Sequence, residues 1–179
     1  MTKVFIAGSR RLSRLNSPVK TRIDTMIEKG FTILVGDANG ADKAVQGYLA
    51  EKSYRNVVVY CMAGNCRNNL ADWPTRELMA PKGVRGFAYY TTKDHAMVDD
   101  AAYGLMLWDG VSKGTLNNVI NMLRLRKPVV VYLAPKKVFQ NLRSTSDLMD
   151  LLGGCDRAAV QRFERELGIE QVLHRAPLP

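Results

Sequence analysis

Residues 103–126, with the sequence YGLMLWDGVSKGTLNNVINMLRLR, hold a strand, a glycine-rich turn and a helix in direct succession. The run at 103–108 is continuously apolar, which is typical of a strand covered on both faces of a sheet. From 115 to 126, apolar side chains recur at three- and four-residue spacing, as on one face of a helix, and Pro128 ends the pattern. This order predicts a βα unit of a parallel sheet.

The same alternation extends over the rest of the chain. Apolar runs predict further strands at 3–7, 32–35, 56–61 and 128–133, with a weaker one at 86–90. Helical periodicity predicts further helices at 18–29, 41–52, 145–152 and 156–167. We therefore predict the α/β class: a Rossmann-like three-layer fold with a mostly parallel sheet of five or six strands and a C-terminal helical extension.

The length of 179 residues favours a single domain. Within it we assign a nucleotide-binding part at 1–135 and a helical extension of the same domain at 136–179. The polar segment at 62–82 interrupts the alternation, and we expect a lid or an irregular insertion there.

Cysteine and histidine content limits the chemistry. An odd count of three cysteines, with Cys61 inside an apolar run, argues against a disulfide framework and favours the reducing cytoplasm. Zinc requires about four convergent Cys or His ligands, so we expect no metal, and nothing in the sequence calls for a cofactor. No stretch approaches the ~20 apolar residues of a membrane span, which predicts no membrane partner.

The charge is strongly positive. Lys and Arg number 26 against 17 Asp and Glu, giving a net charge of +9. The stretch 110–146 contains no acidic residue, and a second basic cluster, Arg10, Arg11 and Arg14, follows the first predicted strand. Such a distribution attracts phosphorylated metabolites or nucleic acid, although a solvated basic face is an equally simple interpretation.

The first candidate turn is Gly8-Ser9-Arg10. In open parallel sheets ligands bind where strands end and helices begin, because helix N-termini there present free N–H groups to anions. Gly8 would allow close approach of the backbone, Ser9 would donate a hydrogen bond, and Arg10 would clamp a phosphate.

The second candidate turn runs from Gly36 to Asp42. Its two glycines, Gly36 and Gly40, match neither the complete dinucleotide fingerprint nor a P-loop. Asn39 or Gly40 would cap the following helix, and Asp42 would favour the positive first turn. Asp37 is the residue expected to meet a ribose hydroxyl or an amino group.

The third turn, at 109–118, is a phosphate cradle by its residue types. Two glycines, two hydroxyl side chains and Lys113 lead directly into a helix, whereas a purely structural turn would require one glycine. The predicted ligand-binding residues are Gly8, Ser9, Arg10, Gly36, Asp37, Gly40, Asp109, Gly110, Ser112, Gly114, Thr115 and Asn118.

A fourth group lies at 91–100. Thr91 and Asp94 resemble a capping box at the start of a helix. His95 is a candidate general base without an identifiable orienting partner, so an ordinary surface histidine is the simpler interpretation. Asp99 and Asp100 cannot point the same way on a helix, so at most one of them faces a pocket.

Three short segments carry a resemblance to a known family: 6–10 (IAGSR), 36–42 (GDANGAD) and 108–115 (WDGVSKGT). In this order they resemble the SLOG superfamily of Rossmann-like domains, specifically its YspA/YpsA-related bacterial branch, over roughly residues 3 to 133. Related groups include the LOG-type phosphoribohydrolases, the nucleoside 2-deoxyribosyltransferases and the DNA-processing protein DprA. The resemblance implies a nucleotide pocket at the glycine-rich turns.

The same resemblance bears on catalysis. The first two related groups cleave N-glycosidic bonds with a glutamate three residues after the threonine of a Gly-Thr-x-x-Glu motif. The corresponding position here is Asn118, and an amide cannot act as a carboxylate nucleophile. If a carboxylate does this work in the present chain, the candidates are Asp37, Asp99 and Asp109.

Three functions follow from these observations. The first is binding of a nucleotide or another ribose-phosphate-containing molecule by a sensor or sequestering domain, with Trp73 or Tyr90 as candidates to stack on a base. The second is hydrolysis or transfer at the N-glycosidic bond of a nucleoside monophosphate. The third is nucleic-acid binding through the basic face. Analogy with related folds that pair through helices predicts a homodimer.

Overall fold

The computed structural model describes residues 1–169, which form a sheet between two layers of helices. The strands are β1 (Lys3–Gly8), β2 (Thr32–Gly36), β3 (Val57–Met62), β4 (Thr75–Leu78), β5 (Tyr103–Trp108), β6 (Val129–Leu133) and β7 (Val138–Leu142). The helices are α1 (Ser17–Glu28), α2 (Ala41–Glu51), α3 (Gly86–Asp100), α4 (Lys113–Arg124), α5 (Thr145–Gly153) and α6 (Arg157–Leu167). The strand order is β4-β3-β2-β1-β5-β6-β7, with every pair parallel except β6 and β7.

The apolar runs of the sequence are continuous because both faces of the sheet are covered. Along β1, Phe5 faces a core shared with α3 to α6, whereas Val4 and Ile6 face a second core shared with α1 and α2. All three side chains are fully buried. Successive strand residues therefore contribute to opposite cores. Because both faces are buried, polar and apolar residues do not alternate along these strands. This confirms the predicted α/β three-layer arrangement.

The strand predicted at 86–90 is wrong, because these residues begin α3. The aromatic residues of GFAYY favour strands locally, but Phe87 and Tyr90 are three residues apart and share one face of a helix. The capping box predicted at Thr91 and Asp94 is also wrong. Thr91 lies inside α3, where its hydroxyl donates to the Ala88 carbonyl at 3.0 Å.

The sequence patterns do not predict two of the strands, β4 and β7, so the sheet has seven strands instead of five or six. β4 reads TREL and has three exposed residues out of four, because it pairs only with β3 at the sheet edge. β7 pairs antiparallel with β6 at the other edge. The segment 62–82, expected as a lid or irregular insertion, thus contributes an edge strand, and its Trp73 is buried in the core.

The C-terminal helices complete the core on one face of the sheet. Phe163 of α6 is fully buried and packs on Trp108 with ring centroids 5.9 Å apart. Gly168, at φ +59°, ends α6 in the left-handed conformation expected of a C-terminal glycine. The boundary between parts 1–135 and 136–179 stays a prediction, and residues 170–179 lie outside the described residues. None of the helices within 1–169 is long and apolar enough to cross a membrane.

Candidate functional site

A cleft of about 540 Å³ opens at the carboxyl ends of the strands. The chain leaves β1 toward β2 on one side and later returns to β5 on the other, so the order reverses between β1 and β5. This reversal is the point at which open parallel sheets leave a crevice for ligands. The first turns of α3 and α4 form the two walls of the cleft, and the turn after β1 contributes to its base.

The turn after β5 is held by its own aspartate. One carboxylate oxygen of Asp109 accepts hydrogen bonds from the amides of Val111 and Ser112 at 3.0 and 2.8 Å. Gly110 adopts φ +81°, which favours glycine, and thereby lets the chain reverse. Asp109 lines the cleft, but this bonding engages its carboxylate in shaping the loop.

The first turn of α4 faces the cleft. Ser112 is its N-cap residue and makes no capping bond through its side chain, which leaves the first amides of the helix open to a ligand. A Cβ atom at Gly114 would meet only the Phe87 ring, at 3.9 Å, so this glycine borders open space. Thr115 is buried, with its hydroxyl oxygen 3.4 Å from that of Ser9.

Asn118 lies one turn further along α4 and also lines the cleft. The residue is only 4% exposed, and its side-chain oxygen has no hydrogen-bond partner within the described chain. A buried acceptor without a partner is costly, and a ligand or a water that donates to it would remove this cost. The position that the resemblance assigned to a glutamate thus presents an unsatisfied amide oxygen.

The turn after β1 is built for packing as much as for binding. A Cβ at Gly8 would lie 2.5 Å from the Leu107 carbonyl oxygen and 2.7 Å from the Ala41 Cβ, so glycine is required for close contact with β5 and α2. Ser9 is 1% exposed, and its hydroxyl accepts from the Asp109 amide at 3.1 Å. Of the predicted residues here, Gly8 and Arg10 line the cleft.

The turn after β2 supports the cleft from below. Gly40 packs so tightly on Arg10 that a Cβ would lie 2.2 Å from the Arg10 carbonyl oxygen. Asp37 is fully buried, and Arg67 binds it through its amide at 3.1 Å and its guanidinium at 2.7 Å. Burial raises the pKa of Asp37, but the hydrogen bonds from Arg67 outweigh burial and hold that pKa below its usual range. The Gly36 carbonyl accepts from the Gln46 side-chain amide at 2.9 Å, so Gly36 and Asp37 both have structural partners already.

A buried charge cluster lies at the base of the cleft, and sequence reasoning identified neither Lys93 nor its contact with the aspartates. Lys93 is 4% exposed, with its ammonium 3.2 Å from the Asp94 carboxylate and 3.7 Å from that of Asp37. Burial lowers the pKa of Lys93, but Asp94, Asp42 and Asp37 outweigh it and raise that pKa. For Asp42, burial dominates over the attraction of Lys93 and raises its pKa to about 6. Because Lys93 is far from Asp37 and Asp42 in the sequence, no local pattern predicts their contact.

Of the other catalytic and stacking candidates from the sequence, only Tyr90 lines the cleft. Asp99 is exposed near the end of α3 and does not line the cleft, so this cleft does not support its assignment as a catalytic candidate. Trp73 is buried, and its indole N–H donates to the Tyr54 carbonyl at 2.8 Å, so it packs and does not stack on a ligand. Tyr90, the alternative, does line the cleft. His95 is exposed, as the simpler interpretation predicted.

Cations and aromatic rings alternate around the cleft. Its lining contains six basic side chains: Arg10, Arg11, Arg67, Lys93, Lys113 and Arg162. The guanidinium carbons of Arg10 and Arg67 lie 5.7 and 5.0 Å from the Tyr90 ring centroid. The Lys113 ammonium lies 4.5 Å from the Phe87 ring centroid. These cation–π contacts orient positive charge along the wall without neutralising it.

Comparison with known proteins supports the fold alone. No protein-family model and no curated protein matches this chain. Its fold is similar to that of the DNA processing protein A from Helicobacter pylori, a protein with a single-stranded DNA binding mode. The two chains share 15% identity with a TM-score of 0.50, over 93% of this chain and 80% of that one. This similarity fits the Rossmann-like fold, whereas membership of the SLOG superfamily stays a prediction.

Proposed function

We propose that the cleft binds the phosphate and ribose of a nucleotide-like small molecule, as a sensor or sequestering domain. The observation that carries this proposal is the juxtaposition of an open helix N-terminus with the unpartnered, buried oxygen of Asn118 in one cleft. The first feature attracts an anion, and the second requires a hydrogen-bond donor. A ribose phosphate offers both.

The phosphate would lie against the first turn of α4. Free amide groups and the positive end of the helix dipole favour an anion there. Gly114 leaves room for close approach, and Arg10 and Lys113 line the same space. The Lys113 ammonium is paired with the Glu166 carboxylate at 3.0 Å, and this contact is partly exposed. A bound phosphate would compete with Glu166 for Lys113.

The sugar and base would occupy the remainder of the cleft. The Asn118 oxygen accepts hydrogen bonds only, so it suits a ribose hydroxyl or an amino group. Phe87 and Tyr90, on one face of α3, provide a flat apolar surface opposite α4. Aromatic rings in such a position stack on a base with little regard to its identity.

The test uses two glycine-to-alanine variants in helices. Gly114→Ala places a methyl group at the wall of the cleft, whereas Gly47→Ala, in α2, makes the same change outside it, where a Cβ would first meet Leu70 at 3.9 Å. Neither substitution meets a steric obstacle in the protein itself, so both should retain or gain stability. We expect AMP affinity, measured by calorimetry, to fall about tenfold or more in Gly114→Ala only.

Ligand identity is best approached before mutation. Native mass spectrometry of the purified protein, followed by a thermal-shift panel of nucleoside mono-, di- and triphosphates, NAD and ADP-ribose, should reveal a retained or stabilising compound. Incubating that compound with the protein then distinguishes a binder from a hydrolase by release of free base. If no compound of the panel raises the melting temperature, the proposal fails.

Single-stranded nucleic acid is a second candidate ligand, favoured by the six cations in the cleft lining and the net charge of +9. The structural neighbour is a protein with a described single-stranded DNA binding mode. If this chain binds single-stranded nucleic acid, the affinity for a labelled oligonucleotide, measured by fluorescence anisotropy, should fall steeply with added salt. Arg11→Ala should lower the salt slope by about one, whereas Lys29→Ala, an exposed cation at the end of α1, should not. Absent or salt-independent binding would reject this candidate.

A further inference from the structure

A tight turn at the end of β3 places two cysteines opposite each other. Met62 and Asn65 form an isolated antiparallel bridge, in which the Asn65 amide donates to the Met62 carbonyl at 2.9 Å. Gly64 lies within the turn at φ +70°, the left-handed conformation that favours glycine. One step outward from the bridge, the facing residues are Cys61 and Cys66.

The geometry of this pair suits a disulfide. Because the bridge beside the turn is hydrogen-bonded, Cys61 and Cys66 occupy a non-hydrogen-bonded position, where opposite Cα atoms lie about 4.5 Å apart. A disulfide spans Cα separations of roughly 4.4–6.8 Å, and facing side chains of a ladder leave on the same side. Cys66 lies close enough to contribute, after burial, to the raised pKa of the Cys61 thiol, and both cysteines are free. The register of the turn therefore places the two side chains at facing positions, where a disulfide can form.

The second cysteine is joined directly to the wall of the cleft. Arg67 follows Cys66, binds Asp37 through both its amide and its guanidinium, and lines the cleft. The side-chain amide of Asn68 donates to the Asp37 carbonyl at 2.7 Å. A bond that restricts the motion of Cys66 therefore also restricts Arg67, a cation that faces the cleft.

We infer that Cys61 and Cys66 form a reversible dithiol–disulfide site, oxidised by a low-molecular-weight disulfide, whose oxidised state fixes Arg67 at the cleft wall and raises anion affinity. Formation of the disulfide is independent of the proposed function. Its effect on a ligand rests on that function, because restricting a binding group in advance lowers the entropy lost on binding.

The reaction balances in two steps. The exposed Cys66 attacks the small disulfide as a thiolate, forms a mixed disulfide and releases one small thiolate. The Cys61 thiol then loses its proton and attacks the Cys66 sulfur, and the second small thiol leaves. Two protein thiols are oxidised while one small disulfide is reduced to two thiols. Burial raises the pKa of the Cys61 thiol, and closure requires its thiolate, so closure should accelerate as pH rises above neutrality.

The experiment begins with oxidised glutathione and the full chain. Trypsin cleaves after Arg55 and Arg67 and releases both cysteines in one peptide, 56–67, while Cys155 falls in another. We expect the 56–67 peptide to lose about 2 Da in wild type and in Cys155→Ser, and dithiothreitol to reverse the loss. A glutathione adduct that persists on Cys66 without closure, or a bond to Cys155, would overturn the inference.

The coupling to the cleft has its own measurement in the wild-type protein, oxidised against reduced. Oxidation should slow hydrogen exchange in the 63–69 segment about tenfold and tighten AMP binding about threefold or more. Cys66→Ser should show neither response. Equal exchange and equal affinity in both states would overturn the coupling. Disulfide formation without AMP binding in either state would instead sink the proposed function and leave the dithiol–disulfide site intact.

Discussion

Asp42 illustrates how a single residue changes character on folding. The sequence places it in the first turn of α2, where a carboxylate favours the helix dipole. In the folded chain one of its oxygens accepts from the Ala38 amide at 3.3 Å, and the residue is 6% exposed. Its environment is shared with Lys93 and Asp94, so its charge is set by contacts distant in sequence.

The pH dependence of the unfolding free energy of an Asp42 variant tests this environment. Its pKa rises from 3.8 to about 6 on folding, so the folded state binds the extra proton between these values. Asp42 therefore stabilises the fold below about pH 4, and this contribution is lost as pH rises through 6. Relative to wild type, Asp42→Asn should gain about 3 kcal/mol or less in unfolding free energy between pH 4 and 7.

Urea denaturation at four pH values between 4 and 7 measures this difference. Asp99→Asn makes the same chemical change at an exposed position outside the cleft and should vary by no more than about 0.5 kcal/mol over the series. A constant difference between Asp42→Asn and wild type would mean that the pKa of Asp42 is the same in the folded and unfolded states.

Asn118 allows stability and binding to be separated at one position. Because its buried oxygen has no partner, Asn118→Leu removes an unsatisfied acceptor and keeps a similar volume. We expect the melting temperature to stay the same or rise, while AMP affinity falls about tenfold. A large loss of stability would show that the amide has a structural role instead.

At the scale of the element, α6 fixes the wall that α4 presents to the cleft. Phe163 packs against Trp108 at the end of β5. The Arg162 guanidinium donates to the Val111 carbonyl in the turn before α4, and Glu166 pairs with Lys113. Three contacts from one helix thus bear on one loop, and the loop should lose order when α6 loosens.

Phe163→Ala should remove the apolar contact that holds α6. The side chain is fully buried, so we expect a loss of about 3–5 kcal/mol in unfolding free energy. Leu125→Ala, at a residue 48% exposed, should cost no more than about 0.5 kcal/mol. Chemical denaturation gives both values, and hydrogen exchange should locate the change in α6 and in the turn after β5. An effect confined to α6 would contradict the coupling.

At the scale of the whole molecule, both parts predicted in the chain contribute to one core. β7 pairs with β6, and Leu148, Leu151 and Phe163 share a buried cluster with Phe5 and Met106. We therefore expect a single cooperative thermal transition, with calorimetric and van 't Hoff enthalpies equal. A separate transition removed by deleting residues 136–179 would establish an independent unit and contradict this prediction.

The sequence by itself determined the α/β class, the five central strands and the helices α1, α2 and α4 between them. Long apolar runs flanked by glycine turns are local signals, because strands buried on both faces cannot be polar anywhere. The same signals located Gly114, Thr115 and Asn118, since a glycine-rich turn before a helix is contiguous in sequence. They failed at 86–90 and at β4, where local aromatic content and edge exposure oppose the final structure.

Only the tertiary structure decided which groups share the cleft. Lys93 and Asp42 are 51 residues apart, and Arg67 reaches Asp37 across 30 residues, so no spacing rule brings them together. It also showed that Asp37 and Asp109 already serve neighbouring amides, and that Asp99 points elsewhere. Hydrogen bonding and burial depend on three-dimensional neighbours, whereas periodicity depends only on order along the chain.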